Sequence, residues 1–169
     1  MSIPTRAAIS IAIDAPPRAV YDLIADLTRM GEWSPECVAC EWLTSERGQG
    51  ARFKGRNRRG LARWSTLAEI LVTDPPRELS FATLHQERPA TRWTFALEPI
   101  TNGTRLTESF EAVHTPTLFG LAERLVIRDR QQQLEAGITH TLGAIKAAAE
   151  PRPASTRVDD LTHLERHPR

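Results

Sequence analysis

Glu108 is the residue of this chain best suited to acid–base chemistry. The segment around it alternates, so that Leu106, Glu108 and Phe110 share one face of a strand. A carboxylate on an apolar face has a raised pKa and can act as a general acid or base. The same carboxylate can instead be paired with an arginine or a hydroxyl, or lie in water near the strand end. Both interpretations stay open, so Glu108 is a candidate and no catalytic residue is assigned.

The two cysteines of the chain, Cys37 and Cys40, have the C-x-x-C spacing of redox and zinc sites. Such sites need the motif at a helix N-terminus or in a metal-binding knuckle. Here the motif falls on a predicted strand, where positions i and i+3 point to opposite faces. The sequence has no second cysteine pair. We therefore predict two ordinary thiols, with Cys40 lining a pocket, and no metal site.

Six basic residues lie between Arg52 and Arg63, close to Phe53 and Trp64. A basic run interleaved with aromatic residues can bind anions or nucleic acid. The whole chain, however, carries 22 basic and 21 acidic residues, a net charge of +1, and the basic residues of this run alternate outward. This pattern favours the solvated face of a hairpin, and no nucleic-acid partner is expected.

His85 and His114 lie at the ends of predicted strands, and we interpret both as rim or turn residues. No order of His, Asp and Ser, and no cluster of carboxylates, indicates a hydrolase or a metal site. The sequence therefore predicts neither a metal nor a cofactor.

The candidate residues lie on a series of short strands. Alternation and turn signals predict seven strands and two short helices in the first two thirds of the chain. The short spacings favour hairpins and an antiparallel sheet. The predicted strands are residues 7–13, 37–44, 51–57, 61–73, 78–85, 91–98 and 104–113, and the predicted short helices are residues 16–26 and 28–32.

A long amphipathic helix is predicted for residues 117–150, between Pro116 and Pro151. Such a helix must lie across the sheet, and a curved sheet closed by one helix tends to leave a hollow. Its first residues, 118–127, are apolar nearly all round, which fits burial, a gate over the hollow or a homodimer contact. Its apolar stripe, with spacings of three and four, consists of Ile127, Gln131, Leu134, Ile138, Leu142 and Ile145.

The predicted inward faces of the strands are apolar and aromatic, with a few polar groups. A hydrophobic wall with sparse polar residues is typical of a small-molecule pocket. A filled core gives nearly the same sequence pattern, although a dry core should avoid inward polar residues. The predicted ligand-binding residues are Cys40, Trp42, Phe53, Asn57, Trp64, Thr66, Phe81, Thr83, Trp93, Phe95, Glu108, Phe110, Leu121 and Leu125.

The composition is that of one ordinary globular domain, which we place at residues 1–150. Of the 169 residues, 40% are hydrophobic and 25% charged. The apolar run at residues 9–13 is too short for a secretory signal, and no run approaches the roughly 18 residues of a membrane span. With only two cysteines, a cytoplasmic location is expected. Residues 151–169, rich in proline, arginine and histidine, are predicted to be a disordered tail.

The predicted order of strand, two short helices, meander and long helix matches a helix-grip fold. Seven segments make the match more specific: IDAPP (13–17), VYDLIAD (20–26), EWSPE (32–36), GARF (50–53), PRELSF (76–81), WTFALEP (93–99) and GTRLTES (103–109). Over residues 5 to 149 the chain resembles the polyketide cyclase/dehydrase-like branch of the START and birch-pollen-allergen superfamily.

This resemblance implies an α+β helix-grip fold with a cavity for a lipid, sterol, polyketide or hormone. Some members of the superfamily catalyse cyclisation or dehydration, but no universal catalytic motif exists to carry over. Three functions are consistent with it. The first is a carrier or sensor for a hydrophobic small molecule, the second is a cyclase or dehydratase in which Glu108 moves a proton, and the third is an interaction module with a filled core.

Overall fold

The computed structural model describes residues 6–113 and 123–150, with the backbone alone for residues 123–131. The predicted tail and the predicted start of the long helix, residues 117–122, lie outside the described residues. The described elements, in chain order, are β1 (Arg6–Ile13), α1 (Pro17–Ala25), a 3-10 turn (Leu27–Arg29), α2 (Met30–Trp33), β2 (Cys37–Trp42), β3 (Arg52–Arg59), β4 (Ala62–Asp74), β5 (Glu78–His85), β6 (Arg88–Ile100), β7 (Gly103–Ala112) and α3 (Glu123–Ala149).

The seven strands form one antiparallel sheet in the order β1-β7-β6-β5-β4-β3-β2. Strands β2 to β7 are a simple meander in which each strand pairs with the next. The first strand returns to pair with the last, with Ile9 opposite Glu108. The fold is therefore the α+β helix-grip architecture expected from the sequence, with a curved sheet, short helices near the N-terminus and one long C-terminal helix.

Two prolines that lie outside the predicted strands 78–85 and 91–98 are part of β6. Pro89 is paired with Leu84, next to a shift of register between Thr83 and Leu84. Pro99 is paired with Thr104 near the end of the β6–β7 hairpin. Proline has no N–H to give to a ladder, and it is tolerated at irregularities and strand ends. The predicted strand of residues 91–98 is thus extended at both ends, to Arg88 and Ile100.

The described side chains of α3 pack toward one edge of the sheet. The helix contacts chiefly β1, then α1 and α2, and to a lesser extent β7. At its C-terminal end, Lys146 Nζ donates a hydrogen bond to the Ala12 carbonyl at 2.6 Å, and Glu150 Oε1 accepts from the Asp14 N–H at 2.9 Å. The other edge strand, β2, is covered by α2 and the 3-10 turn. This placement leaves the inner faces of the central strands facing α3 across a gap.

The tightest packing lies where α1 and the C-terminal half of α3 meet the sheet. We call this region the packed half, and it includes Leu142 of the predicted helical stripe, which is 1% exposed. Full burial of such a side chain contributes about 1.5–3 kcal/mol. The side chains of Ile127 and Gln131, also predicted for the stripe, lie outside the described residues. The buried residues that define the packed half are Ile13, Val20, Leu79, Leu106, Leu142 and Ile145.

Candidate functional site

A cavity of about 770 Å³ lies between the inner faces of the central strands and α3. Its volume is in the range of about 300–1,000 Å³ typical of small-molecule sites. The filled core considered as an alternative does not describe this part of the sheet, which we call the hollow half. Ten of the predicted ligand-binding residues line the cavity: Cys40, Phe53, Asn57, Trp64, Thr66, Phe81, Thr83, Trp93, Phe95 and Glu108.

The other four predicted residues are not on the described wall. Trp42 packs behind it, with its ring edge-on to Phe53 at a centroid distance of 5.8 Å. Phe110 is buried behind Trp93, with ring centroids 5.6 Å apart. Leu121 lies outside the described residues, and Leu125 lies in the part of α3 whose side chains are not described.

Strand register brings the wall residues together. In an antiparallel pair of strands, directly opposite residues point to the same face of the sheet. If one residue points inward, its partner on the next strand therefore points inward too. The pairs that build the wall are Cys40 with Gly55, Phe53 with Ala68, Gly55 with Thr66, Asn57 with Trp64, Ala68 with Thr83, Phe81 with Trp93, and Phe95 with Glu108. Phe53 and Phe81 also meet edge-on at 5.3 Å, an arrangement that contributes about 0.5–1.5 kcal/mol beyond burial.

Most polar side chains of the wall already have partners. The Asn57 amide donates to the Thr66 hydroxyl at 2.9 Å. The Thr83 hydroxyl donates to the Thr91 carbonyl at 3.4 Å, and the Thr141 hydroxyl of α3 donates to the Gly137 carbonyl at 3.0 Å. These bonds lower the cost of placing polar groups beside an apolar space.

Glu108 is the exception among the polar groups of the cavity wall. Its side chain is 5% exposed, and its Oε2 atom has no hydrogen-bond partner in the described part of the chain. Burial disfavours the charged form and raises the pKa of this carboxyl to about 8. Near neutral pH it is therefore mostly protonated, and a protonated carboxyl can both donate and accept a hydrogen bond. This is the state needed to hold a ligand oxygen or to act as a general acid.

The opposite end of the cavity, which we call the outer end, has exposed residues in its wall. Trp64 is 40% exposed there. The Arg59 guanidinium donates a hydrogen bond to Gln133 Oε1 of α3 and lies 3.9 Å from Glu36. Arg59 belongs to the basic run that we interpreted as facing outward, and for this residue the interpretation is wrong. It links β3 to α3 across the outer end. Arg52 does lie on the outer face, where it pairs with Glu69 at 2.9 Å.

The expected placement of Cys37 on the opposite face is also wrong, whereas Cys40 lines the cavity as expected. A β-bulge between Cys37 and Ala39 shifts the register of β2 against β3. The extra residue, Val38, turns the strand so that both thiols point into the cavity wall, and their sulfur atoms are 3.5 Å apart. Strict alternation cannot anticipate a bulge, because a bulge is one added residue in the period of two.

Sequence reasoning missed several wall residues. Gly55 and Ala68 share strand faces with the predicted wall residues Phe53 and Thr66, but their small side chains made them poor candidates. Gly137 and Thr141 flank Ile138 on α3 and were predictable only after the position of the helix was known. The remaining missed residues lie around the α2–β2 turn, near the tip of the β3–β4 hairpin, on β6 and on α3: Met30, Ser34, Pro35, Glu36, Cys37, Arg59, Ala62, Thr91, Gln133, Leu134 and Ile138.

Among the described residues, no group of three or more His, Cys, Asp or Glu side chains is placed to hold a metal ion. His85 is exposed at the β5–β6 turn, and His114 lies outside the described residues. Within that same part of the chain, no helix is both long and apolar enough to cross a membrane.

Comparisons with known proteins agree with this architecture. Residues 4–150 match the family described as polyketide cyclase / dehydrase and lipid transport. The polyketide-cyclase-like protein Cgl2372 of Corynebacterium glutamicum, solved by NMR, is 35% identical over 85% of this chain and 90% of its own, with a TM-score of 0.63. No curated protein matches the chain.

Two more distant structures share the fold. The protein TTHA0849 of Thermus thermophilus is 24% identical over 86% of this chain and 99% of its own, with a TM-score of 0.64. The di-domain ARO/CYC protein StfQ of the steffimycin biosynthetic pathway is 13% identical, with a TM-score of 0.71. The match covers 86% of this chain and 50% of StfQ.

Proposed function

The chain belongs to the polyketide cyclase / dehydrase and lipid transport family, and from that membership we propose that it binds a hydrophobic small molecule in its cavity, as a carrier or sensor. The ligand class is lipid-, sterol- or polyketide-like. One observation carries the proposal. A cavity of about 770 Å³ has an apolar, aromatic wall and, at its buried end, a single carboxyl oxygen without a partner among the described residues.

The apolar wall would supply most of the binding free energy. Phe53, Phe81, Trp93 and Phe95 line the cavity, and burial of apolar ligand surface against them yields about 25 cal/mol per Å². Glu108 would orient the ligand, because its protonated carboxyl can donate a hydrogen bond to a carbonyl or hydroxyl oxygen. An apolar ligand with one oxygen at its inner end therefore fits the site better than a charged one.

The test is binding of a neutral polycyclic aromatic dye, 1-aminoanthracene, followed by its fluorescence. Ala68 is buried and lines the cavity, so Ala68→Leu fills space without disturbing a polar group. We expect the wild-type protein to bind the dye and Ala68→Leu to bind it at least tenfold more weakly. The matched control is Ala147→Leu on the exposed side of α3, which should bind like wild type. Equal binding by wild type and Ala68→Leu would exclude the cavity as the site.

Displacement of the dye distinguishes the ligand classes. Oleic acid, cholesterol and a tricyclic aromatic ketone represent a lipid, a sterol and a polyketide-like compound. The compound that displaces the dye from wild type at the lowest concentration identifies the ligand class. If Glu108 orients the ligand, the same compound should be needed at a higher concentration to displace the dye from Glu108→Gln. Native mass spectrometry of protein purified from its own host then identifies the co-purifying compound.

A second candidate function is a cyclase or dehydratase, and the Glu108 carboxyl favours it. A general acid works best when its pKa lies near the working pH, and burial raises the pKa of Glu108 to about 8. The carboxyl would protonate the hydroxyl of a β-hydroxy ketone as the carbon–oxygen bond breaks and water leaves. The carboxylate so formed would take the α-proton, which restores the acid, while the cavity holds the substrate in a reactive conformation. The fold is also that of the ARO/CYC protein StfQ, although a likeness of 13% identity carries the fold alone.

Dehydration of a naphthyl-substituted β-hydroxy ketone, followed by the absorbance of the enone, tests this role. We expect Glu108→Gln to retain dye binding within about threefold and to lose at least a hundredfold in rate, in the range typical of general acids. The rate of the wild-type protein should fall above pH 8, where the acid is lost. Glu111→Gln, on the same strand but exposed, is the control. Equal rates for wild type and Glu108→Gln would remove the enzymatic role and leave the carrier role intact.

A further inference from the structure

The cavity wall holds a pair of thiols to which the proposed function assigns no chemical role. The Cys37 and Cys40 sulfur atoms are 3.5 Å apart and both line the cavity. We propose that Cys37 and Cys40 form a redox-active dithiol, which a hydroperoxide entering the cavity oxidises to a disulfide. This modification site is independent of the ligand that the cavity binds, because it requires only the two sulfurs and access to them.

The backbone around the thiols holds them together. The β-bulge between Cys37 and Ala39 keeps both side chains on one face. Before the strand, the Ser34 hydroxyl accepts the N–H of Glu36 at 3.3 Å and that of Cys37 at 3.1 Å, which fixes the turn from α2 into β2. A disulfide requires a sulfur–sulfur distance of about 2.05 Å, so the two atoms need to approach by only about 1.5 Å.

The neighbouring strand leaves room for this movement. Gly55 lies opposite Cys40 in the β2–β3 ladder. A Cβ atom at Gly55 would be 3.8 Å from each of the two sulfurs, which is ordinary contact, and the glycine provides no side chain there at all. On the β3 side, therefore, no side chain at position 55 blocks movement of the thiols.

The two thiols are not equivalent. The hydrogen bond from the Cys40 thiol lowers the pKa of Cys37, since it stabilises the thiolate, and burial opposes this in part. The pKa of Cys40 is raised, first because its proton is held by Cys37 and second because it is buried. These two directions favour Cys37 as the thiolate of the pair. A thiolate is the nucleophile in thiol chemistry, which makes Cys37 the attacking residue and Cys40 the resolving one.

The oxidation balances with a hydroperoxide ROOH as the only co-reactant. The Cys37 thiolate attacks one peroxide oxygen, so that a sulfur–oxygen bond forms, the oxygen–oxygen bond breaks, and ROH leaves after taking a proton. The product is a sulfenic acid on Cys37. The Cys40 thiol then attacks the Cys37 sulfur, the sulfur–oxygen bond breaks, and hydroxide leaves as water with the Cys40 proton. The two thiols are oxidised by two electrons, and the peroxide is reduced to ROH and water.

The proposal is tested by measuring the intact mass of the protein after oxidation. The result is unambiguous because the chain contains only two cysteines. The full-length reduced protein is treated with one equivalent of hydrogen peroxide and denatured in the presence of N-ethylmaleimide. Its intact mass is then measured by mass spectrometry. We expect a monomer that has lost two hydrogens and carries no maleimide, and that regains both thiols with dithiothreitol. Addition of oxygen to a protein that still takes up maleimide, or a covalent dimer, would overturn the proposal.

Single substitutions test the two roles. In Cys40→Ser, Cys37 has no resolving thiol, so its sulfenic acid should persist and be labelled by dimedone. In Cys37→Ser, labelling of Cys40 should be at least tenfold slower. Circular dichroism spectra matching wild type verify that both variants are folded. Equal labelling in the two variants would overturn the assignment of Cys37 as the attacking thiol, and the wild-type mass test does not depend on either variant.

Discussion

Thr104 and Glu108 lie four residues apart on the same face of β7, and they represent the two halves of the molecule. Thr104, in the packed half, is 0% exposed, and its hydroxyl donates to the Ala15 carbonyl at 2.7 Å. Glu108, in the hollow half, is also buried from solvent, yet its Oε2 atom has no partner among the described residues. Burial alone therefore does not separate the two halves. The difference is whether the buried polar atom has a hydrogen-bond partner. The Thr104 hydroxyl has one, and the Glu108 Oε2 atom has none among the described residues.

The position of the helices produces this difference. In the packed half, α1 and the C-terminal end of α3 lie directly on the sheet, and inward side chains find neighbours there. In the hollow half, α3 stands away from the central strands, so inward side chains face the cavity. A buried polar group without a partner is costly in free energy, so its presence in a folded protein requires an explanation. Four substitutions or pairs of substitutions test this comparison, beginning with the largest expected effect.

Substitution of two leucines of α3, one in each half, compares the stability of the two halves most directly. Leu142→Ala removes a side chain packed on all sides and should lower the free energy of unfolding by about 2–5 kcal/mol. Leu134→Ala removes a partly buried side chain of the cavity wall and should cost less than half as much. Urea unfolding of both variants measures the difference. Equal losses would mean that the hollow half is collapsed in solution.

The pH dependence of stability should come from the hollow half. The folded state holds the Glu108 proton up to about pH 8, whereas the unfolded state releases it near pH 4.3. Stability therefore falls as the pH rises through this window, by about 1.4 kcal/mol per pH unit, and is level above it. Glu108→Gln should abolish this decline, and Glu111→Gln should keep it. Urea unfolding between pH 5 and 9 measures the slope, and a decline that persists in Glu108→Gln would contradict the assignment.

Two buried or half-buried hydroxyls should differ in their contribution to stability. Thr104→Val removes the hydrogen bond to the Ala15 carbonyl in the packed half and should cost about 1–3 kcal/mol, because that carbonyl is left without its partner. Thr66→Val removes the bond from Asn57 in the hollow half, where the amide can turn to water or ligand in the cavity. We expect a loss of less than about 1 kcal/mol. Thermal unfolding compares the pair, and the reverse order would contradict the proposed division.

The smallest effect is expected at the outer end of the cavity. Arg59 is about half exposed and lies 3.9 Å from Glu36, and pairs of this kind contribute about 0–1 kcal/mol. Arg59→Gln should therefore leave stability nearly unchanged while it speeds dissociation of 1-aminoanthracene, since a link between β3 and α3 is lost. Stopped-flow fluorescence measures this rate. An unchanged rate together with a large loss of stability would mean that Arg59 stabilises the fold and does not control ligand release at the outer end.

Much of the wall was predictable from alternation. Trp64 and Thr66 of β4 and Trp93 and Phe95 of β6 were predicted to line the pocket, and all four line the cavity. The period of two is imposed by strand geometry, so it applies wherever a strand is regular. It failed at Cys37, where one extra residue inverted the expected faces. At Arg59 the period holds, because residue 59 shares the inward face of Phe53 and Asn57. The error there was to interpret the whole basic run as facing outward.

The sequence alone determined the order of the elements, the face of each regular strand and the family, because these depend on local periodicity and short motifs. Only the tertiary structure decided which inward residues are packed and which line a cavity. That outcome depends on where α3 lies, and α3 is anchored by contacts between residues far apart in the chain, such as Lys146 with Ala12 and Glu150 with Asp14. An apolar stripe shows that a helix packs against something, but the space left beneath it depends on those distant anchors.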